Sequence, residues 1–283
     1  MELGFNMRNS KPLTISSLQK GLNILEAFTP GCPRLKFQQV AQKTNMPKAT
    51  VFRLLHALHS LDYLSFDPES KYYFLSPRVM SLGFTALSSM DLREIAIPYL
   101  EELSRVADQN VNLGILNGTE LIYIECVKKH KILNIDFHVG SRLIGYQTSA
   151  GRAILAFMKQ EQFRVVLNEI LKDTEAKKHI GLKGERLVKL IEEVRQNNYS
   201  INDEEYVRGV RAIGAPIFSN KGDAEAAINL PVFAYAISRA ELIERYVPLL
   251  LKAAEKISAA RGFMKPSTGK AVHSQTRSDR KQL

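Results

Sequence analysis

RLKFQQVAQKTNMPKATVFRLLHALHSLDYL, residues 34–64, reads as two short helices joined by a tight turn, the second with a basic and polar leading edge. In the first helix Phe37, Val40 and Ala41 share one face, while Gln38, Gln39, Gln42 and Lys43 point outward. The turn is Thr44-Asn45-Met46-Pro47. Asn45 or Met46 takes the N-cap position, and Pro47 fits the first helical turn, where a missing N–H costs nothing. The second helix then buries Val51, Leu54, Leu55, Leu58 and Leu61 at i, i+3, i+4, i+7 spacing. Its opposite face shows Lys48, Ala49, Thr50, Phe52 and Arg53 near the N-terminus, the end with which a recognition helix touches base edges. The pattern is that of a helix-turn-helix, and it makes duplex DNA the expected partner.

The flanks agree. SSLQKGLNILEAF, upstream, is one amphipathic helix with Ser16 and Gln19 at capping-box spacing and Leu18, Leu22, Leu25 and Phe28 as its buried stripe. Downstream, residues 63–66 and 72–75 are β-prone runs around the turn-forming Asp67-Pro68-Glu69-Ser70-Lys71. Helices followed by such a hairpin make a winged helix-turn-helix. The expected DNA-facing set is Gln38, Lys43, Pro47, Lys48, Ala49, Thr50, Phe52 and Arg53, with Lys71 on the wing. Arg53 suits bidentate pairing with guanine O6 and N7, whereas Lys48 and Thr50 suit phosphate, which positions without specifying.

Charge follows the same division. The 39 Lys+Arg exceed the 29 Asp+Glu, a formal net charge of +10. Up to residue 90 there are ten basic and five acidic residues; from Phe263 onward, five and one; between them, 24 and 23. The positive field therefore belongs to the DNA module and the tail, and the neutral middle argues against a protein that coats nucleic acid throughout. No run of about 18 apolar residues is present to span a membrane. MELGFNMRNSK lacks the form of a signal peptide, so a cytoplasmic protein is expected. Cys32 and Cys126 lie in different expected domains and make neither a disulfide framework nor a zinc knuckle. His56 and His59 share a helix without acidic or cysteine companions, so no metal site is expected.

The remainder is mixed. Residues 79–88 and 92–106 read as helices, the second kinked or restarted at Pro98, and the first serves as linker and dimer seam. VNLGILNGTELIYIECVKK holds two strands around an Asn117-Gly118 turn, and ILNIDFHVG is a third candidate strand. TSAGRAILAFM, EQFRVVLNEIL and GERLVKLIEEVRQNN are helical. AIGAPIFSNKGDAEAAINLPVF is strand–turn–strand, and a final helix is capped by Ser238. The expected class is α+β: a winged helix-turn-helix domain at 14–76, a linker helix at 77–90, an α/β sheet domain at 91–262 and a basic, disordered tail at 263–283.

With SLQKGLNILEAF, MPKATVFRLLHAL, GSRLIGYQTSAGRAILA, INDEEYVRGVRAIGAPIF and AAINLPVF in this order, the chain resembles the IclR family of bacterial transcription regulators from about residue 15 to 262. The resemblance implies a GAF-like effector-binding domain and a dimer or dimer of dimers. The middle motifs look closest to members that govern catabolism of aromatic acids. Carried over residue by residue, the effector cup would involve Ser149, Ala150 and Gly151 at the start of the TSAGRA helix, Asn202 and Asp203, Ala212, and Asn229 and Pro231. Small residues at a helix N-terminus let a carboxylate approach backbone N–H groups. Asn229 would fix orientation, and Ala212, Ile213 and Leu230 would form an apolar wall. Some members carry an acid at position 202, a cysteine at 212 and serines at 229 and 231, so effector identity does not carry over. Arg142 is read as a surface ion-pair residue.

The rival class is a small-molecule enzyme with an accessory DNA-binding domain. Thr148-Ser149-Ala150-Gly151 lacks the first glycine of a nucleophile elbow, and neither GxGxxG nor GxxxxGK[ST] occurs. The expected protein is a ligand-responsive, sequence-specific regulator of a catabolic operon. It needs no cofactor and no catalytic residue, and its effector is a small carboxylic acid.

Overall fold

The computed structural model describes residues 15–129 and 137–264. The chain divides into two compact units, Met1–Ser89 and Met90–Leu283. The first holds α1 (Ser16–Glu26), β1 (Arg34–Lys36), α2 (Phe37–Thr44), α3 (Lys48–Ser60), β2 (Leu64–Asp67), β3 (Tyr72–Leu75) and α4 (Arg78–Ser88). Its core is Ile24, Phe28, Leu35, Val40, Val51, Leu55 and Leu64. The wing hairpin β2–β3 pairs Leu64 with Leu75 through Asp67 with Tyr72, and β1 adds a third antiparallel strand on β3.

Four local expectations are corrected. Asn45 is not an N-cap but the left-handed C-cap of α2 (φ 51°), and Pro47 itself caps α3 through its carbonyl, which accepts from Thr50 N–H (2.9 Å). Ser16 makes no cap on α1; the side-chain cap lies instead on α2, where Gln39 Oε1 accepts from Lys36 N–H at 2.8 Å. α1 carries two apolar stripes, and the core takes Ile24 and Phe28 while Leu18 (60% exposed) and Leu22 (50%) face out. Leu61 lies beyond the end of α3 and is also exposed.

The second unit contains α5 (Asp91–Ala107), β4 (Val111–Asn117), β5 (Glu120–Val127), β6 (Arg142–Ile144), a 3-10 turn (Gly145–Gln147), α6 (Ser149–Phe157), α7 (Gln160–Ile170), α8 (Thr174–Ile180) and α9 (Glu185–Asn197). It continues with β7 (Ser200–Asp203), β8 (Val210–Phe218), β9 (Ala224–Phe233), α10 (Arg239–Glu241), a π-helical turn (Leu242–Tyr246) and α11 (Val247–Ala260). The sheet is six-stranded, order β6-β5-β4-β9-β8-β7, with every pairing antiparallel. β9 is buried at successive positions from Ala226 to Val232, so both of its faces are covered. α6 packs on one side, and α5 and α11 pack on the sheet and on each other. This is the mixed α+β architecture expected.

The hairpins at Asn117-Gly118 and at 220–223 form as read, with Gly118 (φ 61°) and Gly222 (φ 82°) in the left-handed region. Ser238 Oγ accepts from Glu241 N–H at 3.1 Å, as expected of a cap. α5 runs unbroken through Pro98, and α8 is an additional helix. Of ILNIDFHVG, residues 132–136 lie outside the described residues, and 137–140 form no strand.

Candidate functional sites: a helix with an open basic face and a small cavity

α3 separates its residues by helical period. Val51 and Leu55 are fully buried and Leu54 and Leu58 half-buried, so Lys48, Ala49, Phe52, Arg53 and His56 are left on the open face. Phe52 is 62% exposed and meets the half-buried Phe37 edge-on, ring centroids 6.5 Å apart. Gln38, Lys43 and Pro47 are exposed on α2 and the turn; Thr50 is half-buried. Lys71 is exposed at the wing turn with φ 60°, its N–H donating to Asp67 O (2.9 Å). Asp67 also accepts from Ser70 and from Glu69 N–H, and the Ser70 bond first among these holds its carboxyl below the usual range. Sequence reading missed β1, whose three residues are too few to show a period. It brings Arg34 over the Phe74 ring (4.9 Å) and Lys36 over that of Tyr72 (5.1 Å), so two more cations stand beside the wing.

In the second unit a cavity of about 30 Å³ lies against the start of α6. Its lining is Tyr123, Phe137, Leu143, Thr148, Ser149, Asn202, Tyr206, Val207, Val210, Ala212, Asn229 and Pro231. Antiparallel register explains the grouping. Ala212 pairs with Pro231, Gly214 with Asn229, and Asn202 with Ala212, so these residues share the face toward α6. Ile213 and Leu230 alternate to the other face and are fully buried there, so they are not the cavity wall. Asp203 alternates away from Asn202 in the same manner. It pairs with Arg211 and lines a separate cleft.

The N-terminal turn of α6 is tightly built. Thr148, not Ser149, is the N-cap, its Oγ1 accepting from Gly151 N–H at 3.0 Å. A Cβ at Gly151 would lie 2.1 Å from Gly145 O, and one at Gly214 would lie 2.6 Å from Ser149 O. Ala150 is fully buried in the core. Gly151 and Ala150 therefore serve packing, and the Gly151 N–H is already taken. Ser149 differs: its Oγ is buried without a hydrogen-bond partner among the described residues, and it lies on the cavity wall.

Other polar groups are engaged. Asn112 Nδ2 donates to Asn229 Oδ1 (3.2 Å), and Asn229 also hydrogen-bonds the Tyr123 hydroxyl. Burial pushes that hydroxyl far above the ordinary phenol range, so it stays protonated. Asn202 Nδ2 donates to Gln147 O (2.5 Å), and its Oδ1 accepts from Tyr206 N–H (3.4 Å). Sequence reading placed Ser149, Asn202, Ala212, Asn229 and Pro231 in one cup, and the fold brings these five together. It missed Thr148 and the apolar and aromatic wall of Tyr123, Phe137, Leu143, Tyr206, Val207 and Val210. Arg142 pairs with Glu120 on the surface, as read.

Two family models match the chain. The IclR helix-turn-helix domain matches residues 17–68, and the bacterial transcriptional regulator IclR C-terminal domain matches 84–259. Among curated relatives, the Pca regulon regulatory protein of Pseudomonas putida is 33% identical over 87% of this chain and 84% of its own length. An IclR family transcriptional regulator from Brucella abortus has a crystal structure that superposes with a TM-score of 0.74 at 26% identity, covering 92% of this chain and 96% of that one. An IclR homologue from Microbacterium hydrocarbonoxydans, solved in complex with 4-hydroxybenzoate, shares the fold with a TM-score of 0.69 at 21% identity over 87% of this chain and 99% of its own.

Proposed function

The chain belongs to the IclR family of bacterial transcriptional regulators, and on that premise we propose that it controls a catabolic operon in response to a small carboxylic acid with an apolar, preferably aromatic, body. Residues 14–76 bind DNA, 77–90 link, 91–262 bind the effector, and the protein works in the cytoplasm as a dimer or dimer of dimers. The base-reading group is Arg53. Lys48, Thr50, Gln38, Lys43 and the wing residue Lys71 hold phosphates, and Pro47, Ala49 and Phe52 complete the surface that enters the groove.

The observation that carries the effector reading is the unpartnered Ser149 Oγ on the wall of a cavity lined by Tyr123, Phe137 and Tyr206. A buried hydroxyl without a partner costs free energy that a ligand oxygen recovers. The first turn of α6 adds the positive end of a helix dipole, and the aromatic walls suit a flat ring. Among the described residues no charged side chain lines the cavity, so there the ligand's charge is met by dipoles rather than by an ion pair. Asn202 and Asn229 orient the ligand only by exchanging one of their present bonds.

The test is a melting-curve series on the full-length protein with 4-hydroxybenzoate, benzoate and short aliphatic carboxylates. An authentic ligand at 100 times its dissociation constant stabilises by about 2.7 kcal/mol. It is recovered chemically unchanged and alters binding to DNA selected by the protein from a random pool. Absence of any shift across the series, or turnover of the bound acid, refutes the reading.

A further inference from the structure

We propose that the loop 204–209 is the gate of the effector cavity and that the ion pair between Arg152 of α6 and Glu205 of the loop is its latch. The proposal rests on the functional reading above only for the nature of what passes the gate.

The cavity is too small for the ligands just described. It measures about 30 Å³, whereas a cavity of about 150 Å³ is what holds benzene. Some wall must yield. β8 and the α6 turn cannot, because their approach is set by glycines at 151 and 214 with no room for a methyl group, and β9 is hydrogen-bonded into the sheet on both edges, to β4 and to β8. Tyr206 and Val207 belong to no regular element, and Val210 is the first residue of β8. Phe137 also lies outside any element, but Tyr206, Val207 and Val210 are the wall residues carried on, or directly after, a loop that a single ion pair ties to α6.

The loop is held from two directions. Within its own hairpin, Glu204 (φ 61°) accepts from Gly209 N–H (2.9 Å) and from Arg211 Nη2 (3.4 Å), which fixes the loop's internal shape. From outside the hairpin comes Arg152, only 5% exposed. Its Nε donates to Tyr146 O (2.8 Å) and its Nη1 to Ile201 O (3.3 Å). The same guanidinium grips Glu205 in a two-pronged pair, Nη1 to Oε1 at 2.9 Å and Nη2 to Oε2 at 2.6 Å. The guanidinium is thus anchored to the body of the domain whether or not Glu205 is present, and Glu205 is the half that can leave. The carboxylate side chain is 45% exposed and borders a cleft of about 190 Å³ that also includes Tyr199 and Asn197, so it has water and space to swing into. The inner tie, Tyr206 N–H to Asn202 Oδ1, is long at 3.4 Å. A ligand hydroxyl that donates to Asn202 Oδ1 competes with that tie, which couples occupancy of the cavity to the position of the loop.

The experiment reads gate opening without needing the effector. In a Cys32→Ala, Cys126→Ala background, Ser149→Cys places a thiol on the cavity wall, and its reaction with methyl methanethiosulfonate is timed in the full-length protein. Glu205→Gln added to this background is expected to speed labelling about tenfold, with Glu205→Asp between the two. Because the triple background is itself a risk to folding, amide exchange is measured on Glu205→Gln alone in the otherwise native chain. Exchange at 204–210 should rise about tenfold while α6, β8 and the wing are unchanged. Labelling and exchange both insensitive to Glu205→Gln overturn the proposal. Exchange that rises equally across α6 and β8 overturns it too, since the pair is then an ordinary tie of the fold. Protection of the introduced thiol by 4-hydroxybenzoate is scored separately: a working gate without protection rejects the aromatic-acid reading and keeps the latch.

Discussion

Arg53 and Ser149 are the residues on which the two proposed sites turn, and each makes a prediction of different form. Arg53→Ala removes the side chain suited to guanine, so it should cost operator affinity about 1–3 kcal/mol and relax preference at one base position. Lys48→Ala should weaken all sequences alike and reduce the salt slope by about one unit. Titrations on matched and substituted operators at several salt concentrations separate the two, and an unchanged base preference in Arg53→Ala would misplace the recognition helix. Ser149→Ala works in the opposite sense on the free protein. It deletes a hydroxyl that has no partner among the described residues, so the melting temperature should hold or rise, while effector affinity falls by about 1–3 kcal/mol. Asn229→Leu, by contrast, strands Asn112 and the Tyr123 hydroxyl, both buried, and should lower stability before any ligand is added. Calorimetry with 4-hydroxybenzoate together with melting curves distinguishes a residue that waits for a ligand from one already employed by the fold.

The elements show which physical signals a sequence carries. The helix-turn-helix was legible because a period of 3.6 assigns one face of α3 to the core whatever surrounds it. The core face of α1 was not, because 15, 18 and 22 and 21, 24, 25 and 28 are both helical stripes, and only tertiary placement selects the second. In the sheet, alternation was legible but its phase was not. Ala212 and Ile213 are equally apolar, and only the side on which α6 lies puts the first at the cavity and the second in the opposite layer. The small residues of TSAGRA were recognised correctly as a place of close approach, yet the body that approaches is the protein's own backbone. Gly151→Ala tests this. Its methyl group would meet Gly145 O at 2.1 Å, and neither backbone segment can retreat without disturbing the Thr148 cap. Overpacking of this kind costs about 1–3 kcal/mol. The expected result is a lower urea midpoint at unchanged slope. Stability equal to wild type, with lost effector binding alone, would return Gly151 to the ligand site.

At the scale of the whole molecule, apolar side chains that none of the described residues covers call for a second copy. At the N-cap of α1 and along it, Ile15, Leu18 and Leu22 are each at least 50% exposed, and on α4, which buries none of its residues, so are Met80, Leu82 and Phe84. Exposed large apolar residues concentrated on two helices of one small unit are the form an association surface takes. The same unit holds α3, the proposed recognition helix, and an excess of basic residues, ten against five up to residue 90. One such helix reads only a few base pairs, and a two-fold pair reads two half-sites about one helical turn apart, or a multiple of it. The protein should therefore sediment as a dimer or larger and protect a near-palindromic site. Phe84→Glu places a charge within the apolar face of α4 and should weaken self-association at least about tenfold, an effect of about 1.4 kcal/mol, and weaken operator binding with it. Because Phe84 is 60% exposed and joins no core cluster among the described residues, the melting transitions of both units should stay in place. Sedimentation of the wild type as a monomer at operator-saturating concentration would refute this, as would footprints without two-fold character. A Phe84→Glu protein that keeps both assembly and affinity would move the seam to another face.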